Sequence, residues 1–272
     1  MKTIELESWE CFELQVPIIF SDLRKLKADG KYNQRAHLRF RGHADADWKL
    51  ETTLERFTKK ASWAQEQYVK TIRAIRPAVI SITGKDWDIP EIEAGNLPPP
   101  GYEFMIYLRH HGFPSPLLDW TRSPYVAAFF AFRSQEKPKS GKVAIYSYIQ
   151  HYENPVIATD SNEPTVCGLG PYVVTHRRHY AQQCEYSICE QIIDGNYAYG
   201  SHENPKFGDP GSDLGPVKKY ILPASERAKA LTHLHRMNVT AFSLFGSEES
   251  LMETLAYQEI ETNHLMADLK EG

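Results

Sequence analysis

Two short segments, far apart in the sequence, carry polar side chains in patterns that suit the binding of an anion. The first is Phe40-Arg41-Gly42-His43, in which an arginine in an alternating run is followed at once by glycine. A guanidinium group beside bare backbone can hold a carboxylate or a phosphate through paired N–H donors. The same arginine could instead pair with a buried aspartate and serve only the fold. The residues alone leave both roles open.

The second segment spans residues 110–124 and places polar residues directly before an apolar helix. Asp119, Thr121 and Ser123 alternate with other residues between the pair Leu117-Leu118 and the Ala/Phe-rich run that follows. Hydroxyl and backbone N–H groups at a helix N-terminus form a site for anions. The alternative is that these residues only cap the helix, as their types commonly do.

Other patterns for chemistry are weaker. The basic run His176-Arg177-Arg178-His179 is typical of a solvated loop, although it could also clamp a phosphate. A third possibility is a nucleic-acid surface made by Arg39, Arg41, Arg177 and Arg178. The sequence has no His-Glu-x-x-His and no Cys/His set with zinc spacing, so we expect no metal site. It also lacks the glycine-rich signatures of Rossmann and P-loop nucleotide sites.

Composition favours a globular protein of a reducing compartment. The 272 residues carry a net charge of −4, so there is no overall basic excess of the kind typical of nucleic-acid-binding proteins. Four cysteines without a Cys-x-x-Cys pair argue against a disulfide framework. The first residues lack the apolar stretch of a signal peptide, and the longest apolar run is too short to cross a bilayer. We therefore expect a cytoplasmic protein that makes no use of a membrane.

Apolar periodicity predicts an α+β fold in which the two polar segments lie on one sheet. Alternation over residues 37–42 predicts a strand that turns Leu38 and Phe40 to the core and Arg39 and Arg41 to the other face. Further strands are predicted at 117–118, 142–149, 173–174, 185–193 and 239–245. Helices are predicted at 63–82, 102–111, 123–132, 225–237 and from Ser247 to about 268, the last two capped by Ser225 and Ser247. Residues 7–26 read as mixed strand and helix, with Ser21-Asp22 as a cap. The segments 86–101, 155–170 and 196–216 are predicted to be loops or irregular, and 176–183 a polar connection.

The two polar segments together resemble the FRG-domain family. That family is named for a Phe-Arg-Gly strand, here 40–42, followed by a Trp-x-Leu segment, here 48–50, with Arg56 beyond it. Its second signature ends in Leu-Leu-Asp-Trp-Thr before an Ala/Phe-rich helix, here 110–131, with Ser115 in place of the usual threonine. A third signature covers 178–186, where Cys184 and Tyr186 replace the usual glycine and phenylalanine. The resemblance covers about 10–250 and implies one FRG-type domain over 1–272.

The order of these motifs is also similar to that of the ADP-ribosyltransferases. The similarity implies a mixed or antiparallel split sheet around a cleft, with flanking helices, and NAD as substrate. It implies that the dinucleotide is bound by Arg41, Gly42, His43, Asp119, Thr121, Ser123 and Gln183. Glu185 would be the catalytic carboxylate, assisted by Arg41 and Thr121, because a fixed negative charge stabilises the ribose as nicotinamide leaves.

These resemblances imply a protein that transfers ADP-ribose or cleaves NAD, with the acceptor, protein or nucleic acid, left open. A bacterial toxin or a phage-defence effector would be a suitable setting. The alternative is a non-catalytic FRG module that binds a ligand or nucleic acid, in which Arg41 and Asp119 form a structural ion pair. The enzymatic hypothesis predicts that Arg41, Asp119 or Thr121, and Glu185 meet around one cleft. Either way, Trp120 and Phe129 should be buried. Asp119 should have a hydrogen-bonded partner, either backbone N–H groups near Ser123 or the guanidinium of Arg41.

Overall fold

A mixed sheet of nine strands organises the part of the chain that the structure describes. The structure is a computed structural model, and it describes residues 1–91, 97–150, 164–170, 173–203 and 217–261. The strands run in the order β1-β9-β5-β2-β4-β7-β8-β3, and β6 lies along the other edge of β7. Their bounds are β1 Lys2–Glu5, β2 His37–His43, β3 Trp63–Ala64, β4 Leu118–Thr121, β5 Lys142–Gln150, β6 Thr165–Leu169, β7 Cys184–Ile193, β8 Asn196–Tyr199 and β9 Lys218–Pro223.

Nine α-helices flank this sheet within the described residues. They are α1 Trp9–Ala28, α2 Thr53–Thr58, α3 Gln65–Thr83, α4 Tyr102–His110, α5 Pro124–Phe132, α6 Arg177–Ala181, α7 Arg227–Arg236, α8 Ala241–Phe245 and α9 Glu248–Ala256. A 3₁₀ turn at Ala224–Glu226 leads into α7, and a π-helical turn at Tyr257–Glu261 follows α9. None of the described helices is both long enough and apolar enough to cross a membrane.

The sheet is mostly antiparallel and is nearly divided at its centre. Only β1 and β9 run parallel among the described strand pairs. Strand β2 pairs with β5 along its whole length, whereas it meets β4 at the single pair Phe40 and Thr121. The two halves of the sheet therefore diverge beyond that pair. The predicted α+β class is confirmed, while likeness to the ADP-ribosyltransferase fold remains a prediction.

Close packing of α5 on β2 explains why glycine follows Arg41. Leu38 and Phe40 turn to the core formed with α1 and α5, as the alternation predicts. A Cβ atom at Gly42 would lie 1.9 Å from the main-chain oxygen of Ala127 and 2.7 Å from the nitrogen of Ala131. The absence of a side chain thus serves the contact between helix and strand. Trp120 and Phe129 are buried, as predicted.

Several predicted elements correspond closely to the structure. The predictions for β2, α3, α4, α5, β5 and β7 hold to within a few residues. Ser123 and Ser247 cap α5 and α9 as predicted, each accepting a hydrogen bond from a backbone N–H of the first turn. The helix predicted at 225–237 forms as the 3₁₀ turn and α7, with no side-chain cap from Ser225.

Local hydrogen bonding overrides apolar periodicity in two segments that were predicted wrongly. The alternating run 239–245 is a helix, because Thr240 forms a capping box with Ser243 and starts α8. The segment 7–26 contains no strand: the single helix α1, Trp9–Ala28, begins after its cap Ser8, so Ser21 and Asp22 lie inside it.

Short strands account for most of the remaining errors. Residues 196–199 form β8 rather than a loop, because Asp194 and Gly195 adopt the positive φ angles of a tight hairpin turn. The pair 173–174 is not a strand, whereas 165–169 is one, and α6 lies within the polar connection at 176–183. The predictions for 92–96, 155–163, 204–216 and 262–268 lie outside the described residues.

Candidate ligand-binding site

A cavity of about 520 Å³ opens where β2 and β4 diverge. Its walls come from β2, β4, α5, the start of β7 and the segment between β2 and α2. The side chains and backbone of both polar segments predicted from the sequence therefore meet at one site. The polar residues that line the cavity are Arg41, His43, Lys49, Glu51, Arg56, Asp119, Thr121 and Gln182.

Arg41 reaches across the gap between the two strands. Its Nη1 donates to the main-chain oxygen of Asp119 at 2.9 Å, and its Nε donates to Nε2 of His43 at 3.0 Å. Burial lowers the pKa of Arg41 to about 10, with the nearby Arg109 and Arg56 guanidinium groups acting in the same direction. At neutral pH the group is still charged. It is thus a fixed cation at the wall of the cavity.

The carboxylate of Asp119 pairs with Arg109 and not with Arg41. Arg109 of α4 holds it with two hydrogen bonds, of 2.5 Å from Nε and 2.7 Å from Nη2. Burial opposes ionisation of Asp119, but the Arg109 guanidinium outweighs that effect and holds the pKa of the carboxyl below its usual value. The structural ion pair considered between Arg41 and Asp119 does not form. Asp119 thus has a hydrogen-bonded partner in Arg109. The charge of Arg41 is not neutralised by this carboxylate and lies at the cavity wall.

Positive charge at this site exceeds negative charge. Within the described residues, neither Arg41 nor Arg56 has a carboxylate within 4.0 Å. Arg56 donates to the main-chain oxygen of Glu51 at 2.7 Å, and burial lowers its pKa as well. With Asp119 neutralised by Arg109, the remaining charged groups at the walls are Arg41, Arg56 and Lys49 against Glu51. Guanidinium groups without counter-ions favour the entry of an anion.

Thr121 follows Asp119 and Trp120 as the third residue of β4 that lines the cavity. Its hydroxyl donates to the main-chain oxygen of Gln182 at 2.7 Å and accepts from the backbone N–H of Ser123 at 3.1 Å. Ser123 itself caps α5 by accepting from Val126 and is not among the residues that line the cavity. Helix capping, the alternative considered for this segment, is therefore the observed role of Ser123 alone, whereas Asp119 and Thr121 line the cavity. Gln183 is exposed and adopts a positive φ, whereas its neighbour Gln182 lines the cavity.

His43 and Gly42 complete the β2 side of the cavity. Burial and the adjacent Arg41 hold the pKa of His43 well below its usual value, so its ring is neutral. A neutral ring can accept the hydrogen bond that Arg41 donates, and this fixes the guanidinium. Gly42 borders the cavity while packing against α5. Both residues position Arg41 rather than adding charge.

Glu185 does not share this cavity. The register of β7 with β4 places it opposite Trp120, and its side chain is not among those that line the cavity. Its side chain is 2% exposed and is paired with Arg39 and with Arg122, whose Nε lies 2.5 Å from Oε1. Arg39 is itself fully buried. The predicted convergence holds for Arg41, Asp119 and Thr121, while the carboxylate of Glu185 is occupied by two arginines elsewhere.

Six residues of the site were missing from the predicted set, and two of them are Lys49 and Gln182 of the cavity wall. Trp48 and Arg56 belong to the segment quoted for the family resemblance, so that segment was the signal available for them. Glu51 lies between them and carried no signal of its own. Arg109 directly precedes the second signature, and only its pairing with Asp119 reveals its role.

Of the four arginines considered for a nucleic-acid surface, Arg39 is buried against Glu185. Arg177 and Arg178 donate to main-chain oxygens at the end of α8, namely those of Gly246 and Phe245. Arg39 is thus inaccessible, and the guanidinium groups of Arg177 and Arg178 are engaged by backbone oxygens. Among the described residues, no group of three or more His, Cys, Asp or Glu side chains could hold a metal ion.

Fold and site together define an α+β protein with a cationic cavity at the division of its sheet. Residues 36–140 match the family model of the FRG domain, and this segment contains β2, β4, α5 and all the charged residues of the cavity wall. The chain therefore carries an FRG domain. A search of curated proteins and a search of solved structures each gave no match.

Proposed function

We propose that this protein binds a phosphate-bearing nucleotide in the cavity between β2 and β4, and that NAD is the dinucleotide it takes. The observation that carries the proposal is the pair of guanidinium groups, Arg41 and Arg56, which face the cavity without carboxylate partners among the described residues. Arginine is the side chain best suited to phosphate, because its N–H donors match two phosphate oxygens at once.

The size and lining of the cavity support a small organic ligand. Its volume of about 520 Å³ lies within the range of known ligand pockets, roughly 300–1,000 Å³. Apolar surface from Trp48, Ala127 and Phe130 lies beside the charged groups. A nucleotide offers the matching combination of an apolar ring and an anionic chain. A simple inorganic anion would leave most of this surface unused.

Turnover of NAD, by transfer of ADP-ribose or by cleavage, is the second candidate function. It is favoured by Glu51, a carboxylate at the cavity wall that has no lysine or arginine within 4.0 Å among the described residues. A negative charge placed there could stabilise the ribose as nicotinamide departs. In this proposal Glu51 takes the role first expected of Glu185, whose carboxylate is held by Arg39 and Arg122.

The test compares binding with turnover on the same purified protein. Calorimetry with NAD and ADP measures binding, and release of nicotinamide from NAD measures turnover. Binding without nicotinamide release supports the ligand-binding module. Release that falls about 100-fold or more in Glu51→Gln, with NAD affinity retained, supports the enzyme. The absence of binding by either nucleotide would refute both.

A further inference from the structure

An indole group stands exposed at the mouth of the cavity. Trp48 lines the cavity, yet its side chain is 57% exposed, whereas Trp9, Trp87 and Trp120 are buried. Leaving a large aromatic ring in water forgoes the stabilisation that its burial would bring. Position and exposure together indicate that this ring contacts a ligand.

The backbone that carries Trp48 is held firmly in place. Its N–H donates to the main-chain oxygen of Asp45 at 3.2 Å, and its own oxygen accepts from the Tyr146 hydroxyl at 3.3 Å. The carboxylate of Asp45 accepts from the backbone N–H groups of Asp47 and Lys139, at 3.0 and 2.8 Å. The segment is therefore tied to its own turn, to β5 and to the connection before β5. An exposed ring on such a support is preorganised for binding.

The indole also has a definite relation to the charged wall. Its ring centroid lies 6.3 Å from that of His43, at an interplanar angle of 59°. His43 in turn accepts a hydrogen bond from Arg41. Lys49 and Arg56 line the same cavity. The aromatic surface and the phosphate-binding cations are thus parts of one wall, connected through His43.

We infer that Trp48 is the stacking surface for the nucleobase of the ligand and determines its preference for nucleotides over simple phosphates. The inference rests on the proposed function, since Arg41 and Arg56 must hold the phosphates. Stacking on an aromatic side chain contributes about 1–3 kcal/mol per base and discriminates little between bases. Trp48 therefore favours a nucleotide as a class, while the cations anchor its phosphates.

The experiment measures the affinities of ADP and of inorganic pyrophosphate by calorimetry. The two ligands share the diphosphate and differ in the nucleoside. Trp48→Ala should weaken ADP binding by about 5- to 150-fold, the range that follows from one lost stacking contact. It should leave pyrophosphate binding within about twofold. Trp48→Phe should retain most of the ADP affinity, and Trp48→Leu, which keeps apolar bulk without a π face, should lose it.

A matched control is Phe57→Ala, which removes another exposed aromatic ring from outside the cavity lining and should change neither affinity. Equal loss of ADP and pyrophosphate in Trp48→Ala, or unchanged ADP affinity in Trp48→Leu, would overturn the stacking role while the proposed function stands. If the parent protein binds neither ligand, the proposed function fails and the inference fails with it.

Discussion

Two carboxylates on neighbouring strands, the buried Glu185 and the partly exposed Asp119, are each held by arginine, and this decides which cations remain available. Asp119 forms an ion pair with Arg109, and Glu185 forms ion pairs with Arg39 and Arg122. Removing a charged group from water costs several kcal/mol unless a partner compensates it. The pairs are therefore structural, and Arg41 is distinguished from Arg39, the buried arginine of β2, by having no carboxylate of its own within the described residues.

The first prediction concerns Glu185→Gln, which keeps the shape of the side chain but leaves Arg39 buried without a counter-charge. We expect it to lower the free energy of unfolding by about 3–5 kcal/mol, the usual cost of breaking a buried ion pair. Denaturant unfolding measures this value, and Glu5→Gln, which disturbs only the exposed pair with Lys142, serves as control. A Glu185→Gln protein that is as stable as the parent but no longer consumes NAD would instead support the catalytic role of Glu185.

At the scale of elements, Arg109 joins three parts of the fold behind the cavity. It extends from α4, pairs with Asp119 on β4 and donates from Nη1 to the Thr53 hydroxyl of α2 at 2.7 Å. Thr53 also accepts from the backbone N–H of Ser115 at 2.9 Å. These bonds fix α2, which carries Arg56, relative to the strand edge. The position of Arg56 at the cavity thus depends on the pairing of Arg109 with Asp119.

The second prediction tests the contact between β2 and α5. Gly42→Ala should destabilise the protein by at least the roughly 1–3 kcal/mol typical of overpacking, because its Cβ would collide with the main-chain oxygen of Ala127. Thermal unfolding measures the loss. The double variant with Ala127→Gly should not recover stability, since the collision is with backbone. Full recovery in the double variant would show that α5 packs differently.

At the scale of the whole molecule, stability should depend on pH through Glu190. Burial raises the pKa of this carboxyl from 4.5 to about 7 in the folded protein, where Gln65 is its hydrogen-bond partner at 3.4 Å. The folded state then binds a proton more tightly than the unfolded state. Stability contributed by the neutral group is complete below about pH 4.5 and is lost as the pH rises through about 7.

The third prediction follows for Glu190→Gln, which carries no titrating group. Compared with the parent, the variant should be more stable at pH 8, by on the order of 2–3 kcal/mol, and the difference should disappear toward pH 4.5. Urea unfolding at both pH values measures it. A difference of the same size at both pH values would contradict the assigned titration.

Much of the sheet could be predicted because its pattern is local. Alternation in β2 and capping by Ser123 are properties of a few consecutive residues, and both predictions are confirmed. The segment 239–245 shows the limit of that reasoning, since a capping box reverses what alternation indicates. The pair Asp194-Gly195 is a recognisable signal for a hairpin turn, and it outweighs the polar composition that led to the prediction of a loop.

The site was predictable only in part, because charge pairing is a long-range property. The meeting of Arg41, Asp119 and Thr121 followed from motif order, and the structure brings them together. No local sequence pattern indicates that Arg109 pairs with Asp119, or that Glu185 pairs with Arg39, 146 positions away. The choice of partner depends on strand register and on which face each residue occupies, and these appear only in the folded chain.

The most direct test of the central claim is the affinity of ADP for Arg41→Ala compared with the parent protein. Arg76→Ala is the control, because it removes the same charge from an arginine on α3 that pairs with Asp86. Loss of one charged hydrogen-bonding partner of phosphate should weaken ADP binding by roughly 10-fold or more. Arg41→Ala leaves no buried carboxylate without its partner, so the free energy of unfolding should change far less than in Glu185→Gln. Equal ADP affinity in the parent, Arg41→Ala and Arg76→Ala would contradict the account.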